Sequence, residues 1–278
     1  MATDRATPHG DRKPTIAPPP GAVSIMAIAA HPDDIESWCA GTLARAIDAG
    51  ATVRLLLVTS GDKGSADPTD TAATVAARRE AEAREAGRRL GLAEVALLGY
   101  PDGEVEDTRA LRGELVAWVR RWRPDALFTH DPEHPWPPYL THRDHRVVGR
   151  ATLDAAYPLA RDRLTFPEHE GAGLAPHAVR AVWLFSSAAA DTYVDIGAGF
   201  ERKIAARLAH ASQTTDNGID ASRERRRVVK GRSPCAWRTR ARRPTRRVLP
   251  RASGSAWRAS VRRSAWGWRR PSSCSGSI

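Results

Sequence analysis

The chain is organised around a short apolar run that ends in polar residues, VSIMAIAAHPDD at residues 23–34. An unbroken apolar run of this length is typical of a strand buried on both faces of a parallel sheet. His31, Asp33 and Asp34 follow at the carboxyl end of that strand, which is where open α/β sheets bind ligands. An aspartate at this point could simply cap the next helix. The three side chains together indicate a functional turn, because burying them without a metal, water or one another as partners costs several kcal/mol.

Strand and helix patterns alternate along the chain after this turn. Apolar runs predict further strands at residues 52–59, 94–99, 126–129 and 179–185, and a short sixth strand at 192–196. Amphipathic or Ala/Glu/Arg-rich segments predict helices at residues 37–49, 73–90, 108–122, 147–157 and 200–210. This alternation predicts an α/β fold in a single domain, with a Rossmann-like, mostly parallel sheet and helices on both faces. No Gly-x-Gly-x-x-Gly motif follows the first strand, which argues against a dinucleotide cofactor.

Composition divides the chain into three regions. Residues 1–20 are polar and proline-rich and predict a disordered lead-in, residues 21–222 carry the α/β pattern, and residues 223–278 form a tail rich in Arg, Trp and Ser. The formal net charge of +11 comes from the tail, which holds 18 of the 43 Lys and Arg residues but one of the 32 Asp and Glu residues. Because the rest of the chain is net acidic, its charge argues against a nucleic-acid-binding domain.

The tail itself permits three interpretations. Arg and Trp side chains suit phosphate contacts and base stacking, so residues 223–278 could be a nucleic-acid-binding arm. They could also be a disordered basic segment. We favour a third interpretation, translation of a GC-rich gene out of frame, because the composition changes abruptly and residues 232–278 contain no Asp or Glu. The chain would then be the product of a frameshifted gene, and such a product could be inactive.

Cysteine usage and the absence of long apolar runs indicate the compartment of the protein. Cys39, Cys235 and Cys274 are far apart and lack metal-type spacing, which favours a reducing environment over a disulfide framework. No apolar run approaches the ~18 residues of a membrane span, and the N-terminal residues lack the apolar core of a signal peptide. We therefore expect a cytoplasmic protein without a membrane partner. Nothing in the pattern indicates an oligomeric state.

A second polar cluster follows the fourth predicted strand and a long loop at residues 131–141. His142 and His145 are three residues apart at the start of a predicted helix, so both side chains can lie on one face. Together with His31 and Asp34, His145 completes a set of two histidines and one carboxylate. This set is typical of catalytic Zn²⁺ with an open position for water, and it also suits Fe²⁺ or Mn²⁺.

The other polar residues of the two clusters suit acid–base chemistry around such a metal. Asp33, next to a proposed ligand, is the candidate general base that takes a proton from water. His142 could protonate a leaving amine or stabilise an oxyanion, and Asp144 could orient His142. This inventory predicts metal-assisted hydrolysis of an amide.

These motifs resemble the PIG-L (LmbE-like) family of zinc-dependent N-acetylglucosaminyl deacetylases. The resemblance extends over roughly residues 23–213 and rests on AHPDD at 30–34, RREAE at 78–82, YPDGE at 100–104, RPD at 123–125, HRDHR at 142–146, VDI at 194–196 and HASQ at 210–213. Arg143 stands where the family usually has proline, and residues beyond about 216 match nothing expected of the family.

The resemblance implies a role for each matching residue. The zinc ligands that it implies are the three residues that the spacing also indicates, His31, Asp34 and His145. It implies that Asp33 is the general base and that His142 is the acid or transition-state partner. It further implies that Arg79 and Asp102 contact the sugar.

We therefore expect a deacetylase that hydrolyses the acetamide of a small N-acetyl amino sugar, or of its glycoside, to an amine and acetate. A close alternative is an amidase that acts on a larger acyl group or on a thiol conjugate. An alternative of another class is a basic nucleic-acid-binding protein, for which the α/β domain would be incidental.

Overall fold

A computed structural model describes residue 21 and residues 23–133 and 142–214 of the chain. The predicted lead-in at 1–20 and the basic tail at 223–278 lie outside these residues, as do residues 215–222 and most of the loop at 131–141. The expectations for those segments stay predictions.

Five strands of the described residues form one sheet in which every neighbouring pair is parallel. They are Ser24–Ala29 (β1), Thr52–Thr59 (β2), Glu94–Tyr100 (β3), Ala126–His130 (β4) and Ala181–Phe185 (β5), in the order β3-β2-β1-β4-β5. The chain leaves β1 to one side for β2 and β3 and returns to its other side for β4 and β5. The carboxyl ends of β1 and β4 therefore flank the point where the strand order reverses, and a crevice opens there in folds of this type.

Helices cover both faces of the sheet, as the sequence predicts. They are Asp34–Trp38 (α1), Ala40–Asp48 (α2), Ala72–Leu90 (α3), Arg109–Trp122 (α4), Arg143–Asp154 (α5), Glu168–Gly171 (α6), Phe200–Arg207 (α7) and Ala211–Thr214 (α8). A π-helical turn at Ala155–Leu159 continues α5, and a 3₁₀ turn at Gly197–Gly199 precedes α7. The predicted Rossmann-like α/β architecture is confirmed.

Neighbouring residues of the central strands alternate between two apolar cores. The core beneath α1, α2, α3 and α7 takes Ile25, Ala27, Leu55 and Leu57, and the core beneath α4 and α5 takes Met26, Ile28, Leu56 and Val58. Because both sides of β1 and β2 are covered, these strands are apolar without interruption.

The structure corrects the predicted sixth strand at residues 192–196. Within the described residues that segment contains a single bridging residue, Val194, and no strand. Ile196 packs so closely on α2 that a Cβ atom at Gly41 would lie 2.8 Å from the Ile196 side chain. Since the segment packs on a helix, it does not extend the sheet beyond β5.

Several helix boundaries also differ from the prediction, and two of them have a clear local cause. The helix expected at 37–49 is divided into α1 and α2, because the backbone leaves helical geometry at Cys39, where φ is −126° and ψ is 0°. The helix expected at 147–157 starts earlier, at Arg143, because the His142 ring caps it. In the described part of the chain, no helix is both long and apolar enough to cross a bilayer.

Candidate active site

The Asp34 carboxylate lies among three imidazole rings that come from different elements. Its Oδ1 is 3.1 Å from Nε2 of His145 on α5. Its Oδ2 is 3.1 Å from Nε2 of His130 at the end of β4 and 3.4 Å from Nδ1 of His31. All four residues are buried, so the sheet and α5 assemble a compact cluster at the reversal point of the strand order.

The three predicted metal ligands lie next to one another, with Asp34 facing His31 through Oδ2 and His145 through Oδ1. Nδ1 of His31 lies 3.2 Å from Nε2 of His145, and each of these nitrogens lies 3.1–3.4 Å from an Asp34 oxygen. Atoms bound about 2.0–2.1 Å from one zinc ion are about 3.3 Å apart. Burial opposes ionisation of Asp34, but His145 and His130 hold its pKa well below the ordinary value. The donor set of two imidazoles and one carboxylate therefore fits a divalent metal.

The second nitrogen of His31 faces two more carboxylates. Its Nε2 lies 3.1 Å from Oδ1 of Asp102 and 3.3 Å from Oδ2 of Asp144. Burial acts to lower the pKa of His31, but Asp102, Asp144 and Asp34 outweigh it and raise this pKa to about 12. The surroundings thus favour positive charge on or next to His31, which a proton or a cation could supply.

The carboxylate of Asp144, predicted to orient His142, lies closer to His31 than to His142. Its buried Oδ2 accepts a 2.6 Å hydrogen bond from the backbone N–H of Gly103 and lies 4.0 Å from Nδ1 of His142. The Asp144 backbone N–H instead donates to that nitrogen at 3.2 Å. The first turn of a helix has free N–H groups, so a ring at the cap binds backbone while the Asp144 side chain turns inward to His31.

His142 is the most accessible ring of the cluster, with 42% of its side chain exposed. Its ring stands edge-on to that of His31, with 4.7 Å between the centroids. Burial and the nearby His31 lower the pKa of His142. Because Nδ1 accepts from backbone, the hydrogen of the neutral ring is on Nε2, which is left for other partners.

Asp33 lies beside the histidine cluster around Asp34 and has an unusual backbone conformation. Its φ of 95° lies in the left-handed region, which costs a non-glycine residue about 1–2 kcal/mol. Its Oδ1 is 3.3 Å from Nη2 of Arg79, and its Oδ2 is 3.4 Å from Nη1 of Arg207 on α7. Burial and the adjacent Asp34 raise the pKa of Asp33, while the two arginines act in the opposite direction. The result is a carboxyl group with increased proton affinity beside the cluster.

Arg79, predicted to contact a sugar, lies buried beneath the turn that carries Asp33, and its contact with a sugar stays a prediction. Arg79 is 4% exposed, and its guanidinium donates to the carbonyl oxygens of Gly61 at 2.9 Å and Pro32 at 2.6 Å. Gly61 has φ +64°, and a Cβ atom there or at Gly64 would collide with Arg79 Nη1. The glycine loop after β2 thus makes room for this guanidinium, which supports the turn that carries Asp33.

Asp102 reaches the site from the end of β3. Its backbone N–H is held by Oδ1 of Asp62 at 2.7 Å, and its side chain, 14% exposed, lies against His31. The structure therefore brings Asp102 to the histidine cluster around Asp34. Its contact with a sugar stays a prediction.

Comparison with known proteins places the chain in a family. A family model described as PIG-L, GlcNAc-PI de-N-acetylase, matches residues 26–156. The diacetylchitobiose deacetylase of Thermococcus kodakarensis is 32% identical over 189 residues, which cover 68% of this chain and 69% of that relative. The chain belongs to the PIG-L family. Deacetylases of this family are metal-dependent, and the His/Asp cluster described above could bind a metal.

Two further proteins match this chain over different shares of their own length. The N,N′-diacetylchitobiose deacetylase of Pyrococcus horikoshii superposes with a TM-score of 0.70 at 27% identity, over 76% of this chain and 78% of that chain. The mycothiol S-conjugate amidase of Streptomyces coelicolor is 29% identical over 167 residues, which cover 52% of this chain and 55% of that relative.

Two residues that contact this PIG-L site were missed in the sequence. His130 follows the fourth predicted strand, and this position at the carboxyl end of a strand was the signal available in the sequence. The pairing of that strand with β1 is known only from the structure. Arg207 lies on α7 without any motif spacing to the Asp33 turn, so no local pattern could reveal the contact.

Proposed function

We propose that this PIG-L protein hydrolyses the acetamide of an N-acetyl amino sugar, free or as a glycoside, to an amine and acetate. The observation that carries the proposal is the convergence of His31, Asp34 and His145: the two imidazole nitrogens lie 3.2 Å apart, and each lies 3.1–3.4 Å from one of the two Asp34 oxygens. The deacetylase activity named for the Thermococcus relative supports the choice of bond.

Zinc is the proposed metal, held by His31, Asp34 and His145. When bound there it supplies a Lewis acid that polarises the amide carbonyl and lowers the pKa of water towards ~7. Iron or manganese in the divalent state suits the same ligands. The carboxylates of Asp102 and Asp144 at Nε2 of His31 hold the ring so that Nδ1 points into the cluster.

Asp33 takes the proton of the attacking water. The Asp33 carboxylate lies outside the set of proposed metal ligands. Its pKa is raised, which brings it closer to the neutral pH at which a general base works best. Arg79 and Arg207 touch one oxygen each and fix the orientation of the carboxylate.

His142 is the proposed partner of the developing oxyanion and of the departing amine. With Nδ1 engaged by backbone, Nε2–H is available to the oxygen that becomes negative when the amide carbonyl is attacked. A proton from His142 can also pass to the departing amine, for which a lowered pKa makes the protonated ring a stronger acid.

Asp102 is the proposed contact to a sugar hydroxyl. Its carboxylate has more acceptor positions than the contact with His31 occupies, so it can accept a hydroxyl hydrogen as well. The small exposed part of its side chain supports this role.

An acyl series on one sugar tests the proposal. The full-length, zinc-loaded protein is assayed for amine release from glucosamine carrying N-acetyl, N-propanoyl or N-butanoyl groups, from N,N′-diacetylchitobiose, and from a thiol-conjugate amide. We expect the highest kcat/KM on an N-acetyl substrate. Faster release of a longer acyl group or of the thiol conjugate would favour the amidase alternative, and no release from any amide would contradict the proposal.

A further inference from the structure

The loop between β3 and α4 carries Asp102 but has little regular structure of its own. Residues 104–108 belong to no helix or strand, and Gly103 has a left-handed φ of +78°. Val105 is fully buried, so its backbone polar groups need partners within the protein. The position of Asp102 against His31 therefore depends on what holds this loop.

The first two residues of α5 bind the backbone of this loop. Asp144 accepts the N–H of Gly103 on its Oδ2 at 2.6 Å. The guanidinium of Arg143 donates through Nη1 to the carbonyl oxygens of Val105 at 2.5 Å and of Gly103 at 3.2 Å. The same Nη1 lies 3.4 Å from Oδ1 of Asp144, whose side chain is completely buried. A carboxylate and a guanidinium thus join the loop to the helix, and hydrogen bonds with charged partners are the stronger kind.

These contacts depend on the identity of residue 143. Arg143 stands where PIG-L proteins usually have proline, which has no N–H group and could bind neither carbonyl oxygen. The side chain of Arg143 is 44% exposed, so packing in an apolar core does not account for it. The ring of His142, not Arg143, caps the helix. The contacts with the loop are therefore what distinguishes Arg143 from such a proline.

We propose that Arg143 is a positioning residue that holds the loop on α5 and thereby places Asp102 for the substrate. Gly103 follows Asp102 directly, so a shift of the Gly103 carbonyl moves the Asp102 side chain as well. A displacement of about 1 Å in an active site can cost about 100-fold in rate. The effect here should be smaller, because Oδ1 of Asp62 also holds the Asp102 N–H. This inference rests on the sugar contact that the proposed function gives to Asp102.

A double-mutant cycle separates this role from a general effect on the fold. Arg143→Met keeps an unbranched side chain but removes the donors, and Asp102→Ala removes the carboxylate through which Arg143 is proposed to act. The full-length proteins, loaded with zinc and checked for zinc content, are assayed for kcat/KM on N,N′-diacetylchitobiose. We expect Arg143→Met to lower kcat/KM about 2- to 10-fold, mainly through a higher KM. In the Asp102→Ala background the same substitution should have little further effect.

Arg150→Met is the matched control on the same helix. The Arg150 side chain is 60% exposed and pairs with Glu133 at 2.6 Å, so this variant should keep the wild-type kcat/KM. Arg143→Lys retains a cationic donor and should recover part of the loss. Hydrogen exchange of the metal-free proteins gives a readout independent of turnover. The amides of residues 102–105 should exchange faster in Arg143→Met than in the wild type or in Arg150→Met.

Each other outcome has a defined meaning. Wild-type kcat/KM in Arg143→Met, or an equal loss with and without the Asp102 carboxylate, would overturn the inference, and so would unchanged exchange of the loop amides. If Arg143→Met does not fold, Arg143→Gln replaces it in the same comparisons. Wild-type kcat/KM in Asp102→Ala would overturn the sugar contact and this inference together. A folded, zinc-loaded wild type that releases no acetate would contradict the proposed function, and hydrogen exchange would then decide alone whether Arg143 holds the loop.

Discussion

The carboxylates of Asp33 and Asp34, adjacent in the chain, contact opposite kinds of partner. Asp34 lies among the imidazoles of His31, His130 and His145, whereas Asp33 lies between two arginines. The backbones of the two residues differ as well, because Asp33 has a left-handed φ of 95° and Asp34 begins α1. One turn thereby places two carboxylates among different partners, as the proposed roles of Asp34 as a metal ligand and Asp33 as a base require.

Asp33→Asn should leave metal binding intact and remove turnover. The amide keeps the size of the side chain but cannot take a proton, and general-base catalysis typically contributes about 10²- to 10⁴-fold. Zinc content and acetate release of the same preparation measure both effects. Asp34→Asn is the contrasting variant and should lose zinc. Near wild-type turnover in Asp33→Asn would remove this residue from the base role.

Asp144→Asn should weaken zinc binding roughly 10- to 100-fold, because it removes a buried negative charge 3.3 Å from Nε2 of His31. Chelator competition measures the change. Asp154→Asn serves as a control on the same helix, since that carboxylate is partly exposed and its ion-pair partner is Arg112, 3.7 Å away. Equal zinc affinity in the two variants would contradict the assignment.

Zinc uptake near pH 7 should release about one proton from His31. Burial lowers the pKa of this ring, but the surrounding carboxylates outweigh it and raise the pKa to about 12, so we expect the metal-free ring to be protonated near pH 7. A metal on Nδ1 needs the lone pair that this proton occupies. Titration calorimetry in buffers of different ionisation enthalpy counts the protons that are released. Zinc binding without proton release would show that His31 is not protonated in the metal-free protein.

Gly61→Ala should destabilise the fold more than Gly50→Ala does. Both glycines have left-handed φ values, +64° and +92°, but only a Cβ at Gly61 meets Arg79, while nothing lies within 4 Å of one at Gly50. Backbone strain alone costs about 1–3 kcal/mol, and the collision adds to it. Urea unfolding of metal-free proteins compares the two. Equal losses of unfolding free energy in the two variants would show that a methyl group at residue 61 fits beside Arg79.

Arg120→Met should lower the free energy of unfolding by roughly 3 kcal/mol or more. This arginine is 2% exposed and binds five backbone carbonyl oxygens, those of Leu159, Ala160, Asp162, Thr165 and Phe166. Removing the guanidinium leaves buried acceptors without donors. The exposed neighbour Arg121 provides the control, and an Arg121→Met variant as unstable as Arg120→Met would count against the interpretation.

The fold, and the meeting of the proposed ligands at one place, follow from local patterns in the sequence. Apolar runs separated by helices determine a parallel sheet, and the carboxyl ends of its central strands must meet, so His31 and Asp34 could be predicted to share a site with the helix that carries His145. The spacing of His142 and His145 placed both rings on one side of α5 without knowledge of the tertiary structure.

Side-chain direction within the site could not be predicted from spacing. Asp144 turns to His31 because α5 starts at Arg143 and its free N–H groups engage the His142 ring. Arg79 turns inward because Gly61 and Gly64 open a space for it, a match between two distant segments. His130 is a single histidine at a strand end, and only the pairing of β4 with β1 reveals its neighbours.

The central claim is a metal-dependent deacetylation, and a zinc titration of acetate release tests it most directly. The full-length protein is stripped with a chelator, supplied with N,N′-diacetylchitobiose, and assayed for acetate as zinc is added. The account predicts no acetate without metal and a rise that levels off at about one zinc per chain. Acetate release that survives complete removal of metal, or a folded zinc-loaded protein that releases none, would contradict it.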